Sequence, residues 1–111
     1  MASYLEDCEE IRQLVARYCM AFDQHDATTW ASTFTTTGRF VIGPTTVEGT
    51  EALEAFAASM PPDSKTQHIA TNLIILSPGT PASIGMTASY NDRLERIDGR
   101  WRFAERIVTP L

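Results

Sequence analysis

"YNDRLERIDGRWRFAERIV" (residues 90–108) decides the fold. Two alternating segments flank Asp98-Gly99, and a two-residue Asp-Gly loop between such segments signals a type I′ hairpin. The loop sets an expected register. Ile97 faces Arg100, Arg96 faces Trp101, Leu94 faces Phe103, Asp92 faces Glu105 and Tyr90 faces Ile107. One face then carries Trp101, Leu94, Phe103, Tyr90 and Ile107. The other is a solvated face with Arg93, Glu95, Arg102 and Arg106, on which Glu95 opposes Arg102 favourably. One pairing jars: Asp92 opposite Glu105 sets like charges face to face, which destabilises a ladder. Proximity of that kind raises one carboxyl pKa and makes the pair an alternative acid/base candidate.

Upstream, "QHIATNLIIL" (67–76) reads as a strand covered on both sides. Alternation places Ile69, Thr71, Leu73 and Ile75 on one face and His68, Ala70, Asn72 and Ile74 on the other. A buried imidazole and carboxamide need partners, because an unpaired buried polar group costs about 1–3 kcal/mol. "GRFVIG" (38–43) reads as a further strand and "TTVEG" as a brief edge strand.

The helices come first. Residues 4 to about 24 form a helix opened by the capping box Ser3/Glu6, with Glu6, Asp7, Glu9 and Glu10 at the positive end of the macrodipole. Leu5, Cys8, Ile11, Val15, Tyr18, Cys19 and Phe22 make its apolar stripe. Asp23 lies at the edge of that stripe, near a helix C-terminus that disfavours a carboxylate. A short helix is expected after Asp26 as N-cap, with Trp30 and Phe34 paired at i, i+4, and a third over 51–60, capped by Thr50 and ended by Pro61-Pro62. Helices followed by a mostly antiparallel, curved sheet predict an α+β domain spanning 1–111, with the three helices of the N-terminal half packed on one face.

The chain has 111 residues, of which 43% are hydrophobic, and a net charge of −5. Eight arginines stand against a single lysine, Lys65, and the C-terminal arginines alternate with Asp92, Glu95, Asp98 and Glu105. This balance argues against nucleic acid and anionic membranes as partners. No apolar run approaches the ~20 residues of a membrane span. The acidic start "MASYLEDCEE" is unlike a signal peptide, so a cytoplasmic location is expected. Cys8 and Cys19 recur on one helix about 16 Å apart, too far for a disulfide. Neither His has metal-ligand spacing, so no metal is expected.

The runs "IRQLVARYCMAFDQHDATTWASTFTTTGRF", "QHIATN" and "YNDRLERIDGRWRFAERIVTPL" together resemble the SnoaL-like proteins of the nuclear-transport-factor-2-like superfamily. These are cone-shaped α+β domains that include polyketide cyclases, scytalone dehydratase and ketosteroid isomerase. The resemblance implies a cofactor-independent lyase, isomerase or cyclase acting on a small hydrophobic or polycyclic substrate. It maps an Asp–His catalytic dyad onto Asp23 and His68. A carboxylate-held imidazole keeps one tautomer and leaves its other nitrogen free to take a proton. Tyr18 and Asn72 are the candidate polar positioners, and Trp30, Phe34, Tyr90 and Trp101 the candidate apolar lining. His25 and Asp26 read as solvated helix-end residues. Relatives run two long strands between the histidine strand and the Tyr90 segment, where this chain has only "SPGTPASIGMTAS" (77–89), and it stops at Leu111. A shortened wall and an exposed edge favour a homodimer. The alternative is a non-catalytic ligand-binding or dimerisation module of the same fold.

Overall fold

The computed structural model describes residues 3–63, 68 and 88–110. The element order is α1 (Tyr4–Asp23), α2 (Ala27–Ser32), β1 (Phe34–Ile42), β2 (Thr45–Glu48), α3 (Thr50–Ala58), β3 (Ala88–Ile97) and β4 (Arg100–Pro110). The chain is an α+β fold with its helices first. Its described strands form one sheet in the order β2-β1-β4-β3. β1 pairs antiparallel with β2, and β3 antiparallel with β4, while β1 and β4 run parallel in the middle.

Local chemistry accounts for most boundaries. Ser3 caps α1 by accepting the Glu6 N–H at 3.1 Å. The chain reverses at His25, whose φ is +59°, and the Asp26 N–H returns to the Ala21 carbonyl at 2.8 Å. Asp26 then caps α2 by accepting the Thr29 N–H at 3.2 Å. Hydrogen bonds from the Thr29 side chain and backbone N–H hold its carboxyl below the ordinary carboxylate range. The hairpin loop has the expected I′ geometry, with φ of +53° at Asp98 and +78° at Gly99.

Three expectations about the helices are corrected. Leu5 is 77% exposed rather than part of the inner stripe, and Leu14 is buried in its place beside Tyr18 and Cys19. Tyr4, in the same first turn of α1, is likewise exposed. Phe34 belongs to β1, not to α2, because "TFTTTG" is β-branched and favours a pleated strand. Its ring still meets Trp30 edge-on at 5.1 Å. Gly49, at φ +90°, is the N-cap of α3 where Thr50 was expected, and no side chain caps that helix.

The hairpin register is the fourth correction. Pairing follows the expected pattern from Ile97↔Arg100 to Leu94↔Phe103, then shifts by one residue. Ala104 is the extra residue, a bulge that bends the strand and reassigns every side chain beyond it. Arg93 now faces Glu105, Asp92 faces Arg106 and Tyr90 faces Val108. The Asp92–Glu105 conflict therefore does not exist, and Glu105 binds Arg39 of β1 at 2.8 Å. Arg106, expected on the solvated face, is turned inward and buried with Phe103 and Val108.

The core lies between α1, α2, α3 and the inner face of the sheet. Trp30, Leu53 and Phe103 are fully buried there, with Leu14, Tyr18, Phe34, Phe40 and Ala57 around them. Full burial of each large side chain contributes about 1.5–3 kcal/mol. Gly38 permits the tightest contact: a Cβ at this position would sit 2.8 Å from Phe34 Cβ and 3.0 Å from the Phe103 carbonyl.

Candidate functional site

Asp23 is the last residue of α1, one turn beyond Cys19 and adjacent to Phe22. The helix end offers it no favourable dipole, but His68 supplies two donors. The His68 backbone N–H donates to Asp23 Oδ2 at 2.7 Å. The ring Nδ1 lies 2.5 Å from Asp23 Oδ1. This contact leaves Nε2 as the ring nitrogen that the carboxylate does not engage. Phe22 packs edge-on against the imidazole at 5.2 Å, fixing the second axis of the ring. The Asp23 side chain is 14% exposed and that of His68 30%, so the pair is sheltered on the carboxylate side and open on the imidazole side.

One turn back on α1, Tyr18 lies at the centre of an aromatic cluster. Its ring meets Trp30 at 5.6 Å, Phe103 at 5.7 Å, Phe34 at 6.1 Å and Tyr90 at 6.2 Å. Burial pushes the Tyr18 phenol far above its ordinary range; Tyr90 adds to the rise and Arg106 opposes it. Burial raises Tyr90 as well. Both hydroxyls therefore stay protonated and remain hydrogen-bond donors.

Arg106 enters this cluster from β4. Its guanidinium carbon lies 3.7 Å from the Tyr90 ring centre, 4.3 Å from Tyr18 and 4.6 Å from Phe103. Arg106 Nε sits 3.0 Å from Asp92 Oδ1, an ion pair without hydrogen-bond angles. Desolvation raises the Asp92 carboxyl despite that neighbour. Among the described residues Arg106 Nη1 and Trp30 Nε1 are buried without a hydrogen-bond partner.

Of the residues singled out by sequence, Tyr18, Trp30, Phe34 and Tyr90 meet in this cluster, and Asp23 meets His68. Phe22 links the two groups, packing on Trp30 at 5.4 Å as well as on His68. Trp101 goes elsewhere. Its indole N–H donates to Asp7 at 3.1 Å, its backbone N–H donates to Glu10 at 3.0 Å, and Arg96 pairs with the same Asp7 while covering the indole face. Trp101 thus clamps the hairpin to the start of α1. Asn72, the expected 67–76 strand apart from His68, and the segment 77–87 lie outside the described residues. Sequence reasoning missed Arg106 as an inward-facing group. The signal was present: the like-charge conflict at Asp92 vanishes if one residue is looped out, and small Ala104 is the residue beside it that can be.

The SnoaL-like domain model matches residues 3–88 of the chain. The chain belongs to this family. Among curated proteins no significant match is found. Several solved structures share the fold. A variant of a protein of unknown function from Mycobacterium tuberculosis is 26% identical, with a TM-score of 0.83 over 95% of this chain and 72% of that one. A nuclear-transport-factor-2-like protein with a cystatin-like fold from Novosphingobium aromaticivorans is 22% identical, with a TM-score of 0.70 over 96% and 83%. A putative scytalone dehydratase from the same organism is 15% identical, with a TM-score of 0.75 over 96% and 85%. The SnoaL-like chain therefore shares the nuclear-transport-factor-2-like, cystatin-like α+β fold. Among its described residues no helix is long and apolar enough to cross a membrane.

Proposed function

We propose that this SnoaL-like protein is a cofactor-independent lyase or isomerase of dehydratase, isomerase or cyclase type, acting on a small hydrophobic or polycyclic carbonyl compound. The observation that carries the reading is the double hold of Asp23 on His68, at 2.7 Å to the backbone N–H and 2.5 Å to Nδ1. A single ring bond would serve a purely structural tie. Two bonds fix both the backbone and the ring, so that Nε2 is presented in one orientation and one tautomer.

In the proposed step Nε2 takes a proton from the carbon next to a carbonyl. The C–H electron pair becomes the carbon–carbon double bond of an enolate, and the carbonyl electrons move onto its oxygen. Asp23 stabilises the imidazolium that results. Expulsion of a β-hydroxyl that takes the imidazolium proton and leaves as water gives a dehydratase outcome, return of that proton to another carbon an isomerase, and attack of the enolate on a second carbonyl, whose alkoxide takes the proton, a cyclase. Tyr18 serves as an oxygen-binding donor, Asn72 as a second positioner, and Trp30, Phe34 and Tyr90 as the apolar surround. A homodimer in the cytoplasm completes the proposal, and light scattering at micromolar protein checks the dimer: a monomer mass rejects it.

The base is testable without knowing the leaving group. In deuterium oxide, the protein should exchange the α-protons of 2-tetralone, followed by proton NMR. His68→Ala should slow exchange by about 10²–10⁴-fold, the range for a positioned general base. Circular dichroism melting confirms that the variant is folded. Wild-type exchange at the buffer rate, or unchanged exchange in a folded His68→Ala, rejects the assignment.

A further inference from the structure

Asp23 anchors His68 at two points, the backbone N–H and Nδ1, and so fixes where the imidazole sits. The tilt of the ring about the Nδ1 contact is a separate freedom. The torsion that turns a histidine ring is broad and resists little by itself. A base whose free nitrogen swings is in line with the proton it must take for only part of the time. Phe22 bears on that freedom. Its ring meets the imidazole edge-on, at 5.2 Å and 79°. The same ring meets Trp30 at 5.4 Å and 61°, and Trp30 is fully buried. Phe22 is therefore braced against the core through one contact and bears on the imidazole through the other. Phe22 and Asp23 are consecutive on α1, so their side chains leave the helix about 100° apart. An imidazole that touches both lies in the fork between them and is met from two directions.

We propose that Phe22 is a positioning residue for the base: it holds the plane of the His68 ring, and with it the direction of Nε2, without touching the substrate. The inference rests on the proposed base chemistry for its effect on turnover, whereas the hold on the ring belongs to the fold. A residue of this kind acts by removing ring orientations from which no proton can be transferred. Its loss should lower kcat and leave KM unchanged, because the substrate binds alike whatever the tilt of the ring. An apolar lining residue in contact with the substrate would instead change KM, and a core filler would change stability alone. Leucine at position 22 keeps apolar bulk beside Trp30 but offers no flat ring to the imidazole. Aromatic pairs of this geometry carry a factor of about two to ten beyond the area they bury, which sets the size of the expected effect.

Ring motion is read by carbon-13 relaxation on histidine-labelled protein, with the exposed His25 as internal reference. In wild type the C–H groups of the His68 ring should have an order parameter near the rigid value of about 0.85, and they should show a nuclear Overhauser contact with the Phe22 ring. Phe22→Leu should lower the His68 value and leave His25 as it was. In the same variant kcat for 2-tetralone exchange should fall about two- to tenfold at constant KM. Phe22→Tyr, which keeps the ring, should restore both, and circular dichroism melting confirms that each variant is folded. A mobile His68 ring in wild type overturns the proposal without any variant, so the test survives a Phe22→Leu that does not fold. An unchanged order parameter in folded Phe22→Leu, or a raised KM at constant kcat, also overturns it. A wild type whose His68 ring is rigid but which exchanges no 2-tetralone rejects the base, and with it the role of Phe22 in turnover.

Discussion

Replacing Asp92 with Leu separates the bulged hairpin register from the regular one by the sign of the effect. In a regular ladder Asp92 would face Glu105, and removing it would relieve a like-charge contact and stabilise the protein. In the observed ladder it faces Arg106, and the change strands a guanidinium whose side chain is 3% exposed. Breaking a fully buried ion pair from one side costs about 3–5 kcal/mol. Two features reduce that figure. The Asp92 side chain is 21% exposed, and three aromatic rings continue to hold the cation, each contributing about 0.5–1 kcal/mol. The expected loss is about 2–3 kcal/mol. Urea unfolding followed by tryptophan fluorescence measures it, provided the m-value stays constant. The double variant Asp92→Leu/Arg106→Met removes both charges and should return to within about 1 kcal/mol of wild type. Glu105→Leu, whose Arg39 partner is 42% exposed, should cost less than about 1 kcal/mol. Stabilisation by Asp92→Leu, or a double variant as unstable as the sum of its parts, refutes the reasoning.

Three further outcomes are expected. Gly38→Ala pushes a methyl to 2.8 Å from Phe34 Cβ and 3.0 Å from two backbone carbonyls, so the strand must shift; a loss of about 1–3 kcal/mol in the same urea assay is expected, and a neutral result contradicts the close approach. Asp7→Ala frees the Trp101 indole N–H and Arg96 together, and should cost about 1–2 kcal/mol while shifting tryptophan emission to the red. Burial raises Tyr18 and Tyr90 above the unfolded value near 10. The folded state then holds protons that the unfolded chain releases, so this stabilisation is complete below about pH 10 and is lost as pH rises further. Tyr18→Phe should flatten that alkaline decline, and an unchanged slope contradicts it.

The fold was legible wherever the signal was local. Asp98-Gly99 dictates its own turn, and Ser3 and Asp26 cap the helices they precede. The bulge was not legible as such, because alternation counting assumes one residue per rung and Ala104 breaks the count silently. Only the charge conflict at Asp92 registered the error, and reading it as a functional pair obscured it. Arg106 followed from the same miscount: the parity that put it on the solvated face reverses beyond Ala104. Trp101 was misjudged differently. Its hydrophobicity argued for the interior, whereas its indole N–H required an acceptor, and Asp7 and Glu10 stand at the helix start where the macrodipole already favours carboxylates. For Asp23 the clue was energetic rather than periodic. A carboxylate at a helix C-terminus needs compensation from outside the helix, and His68 supplies it twice.

Chemical rescue of the missing base tests the role of His68 most directly. In His68→Ala the imidazole is gone while Asp23 and the aromatic cluster remain, so added imidazole can occupy the vacated position and hydrogen-bond to the carboxylate. Deuterium exchange of 2-tetralone by His68→Ala should rise with imidazole concentration and saturate, and it should not do so in His68→Ala/Asp23→Asn. Exchange that ignores imidazole, or that rises equally in both variants, contradicts a base held by Asp23.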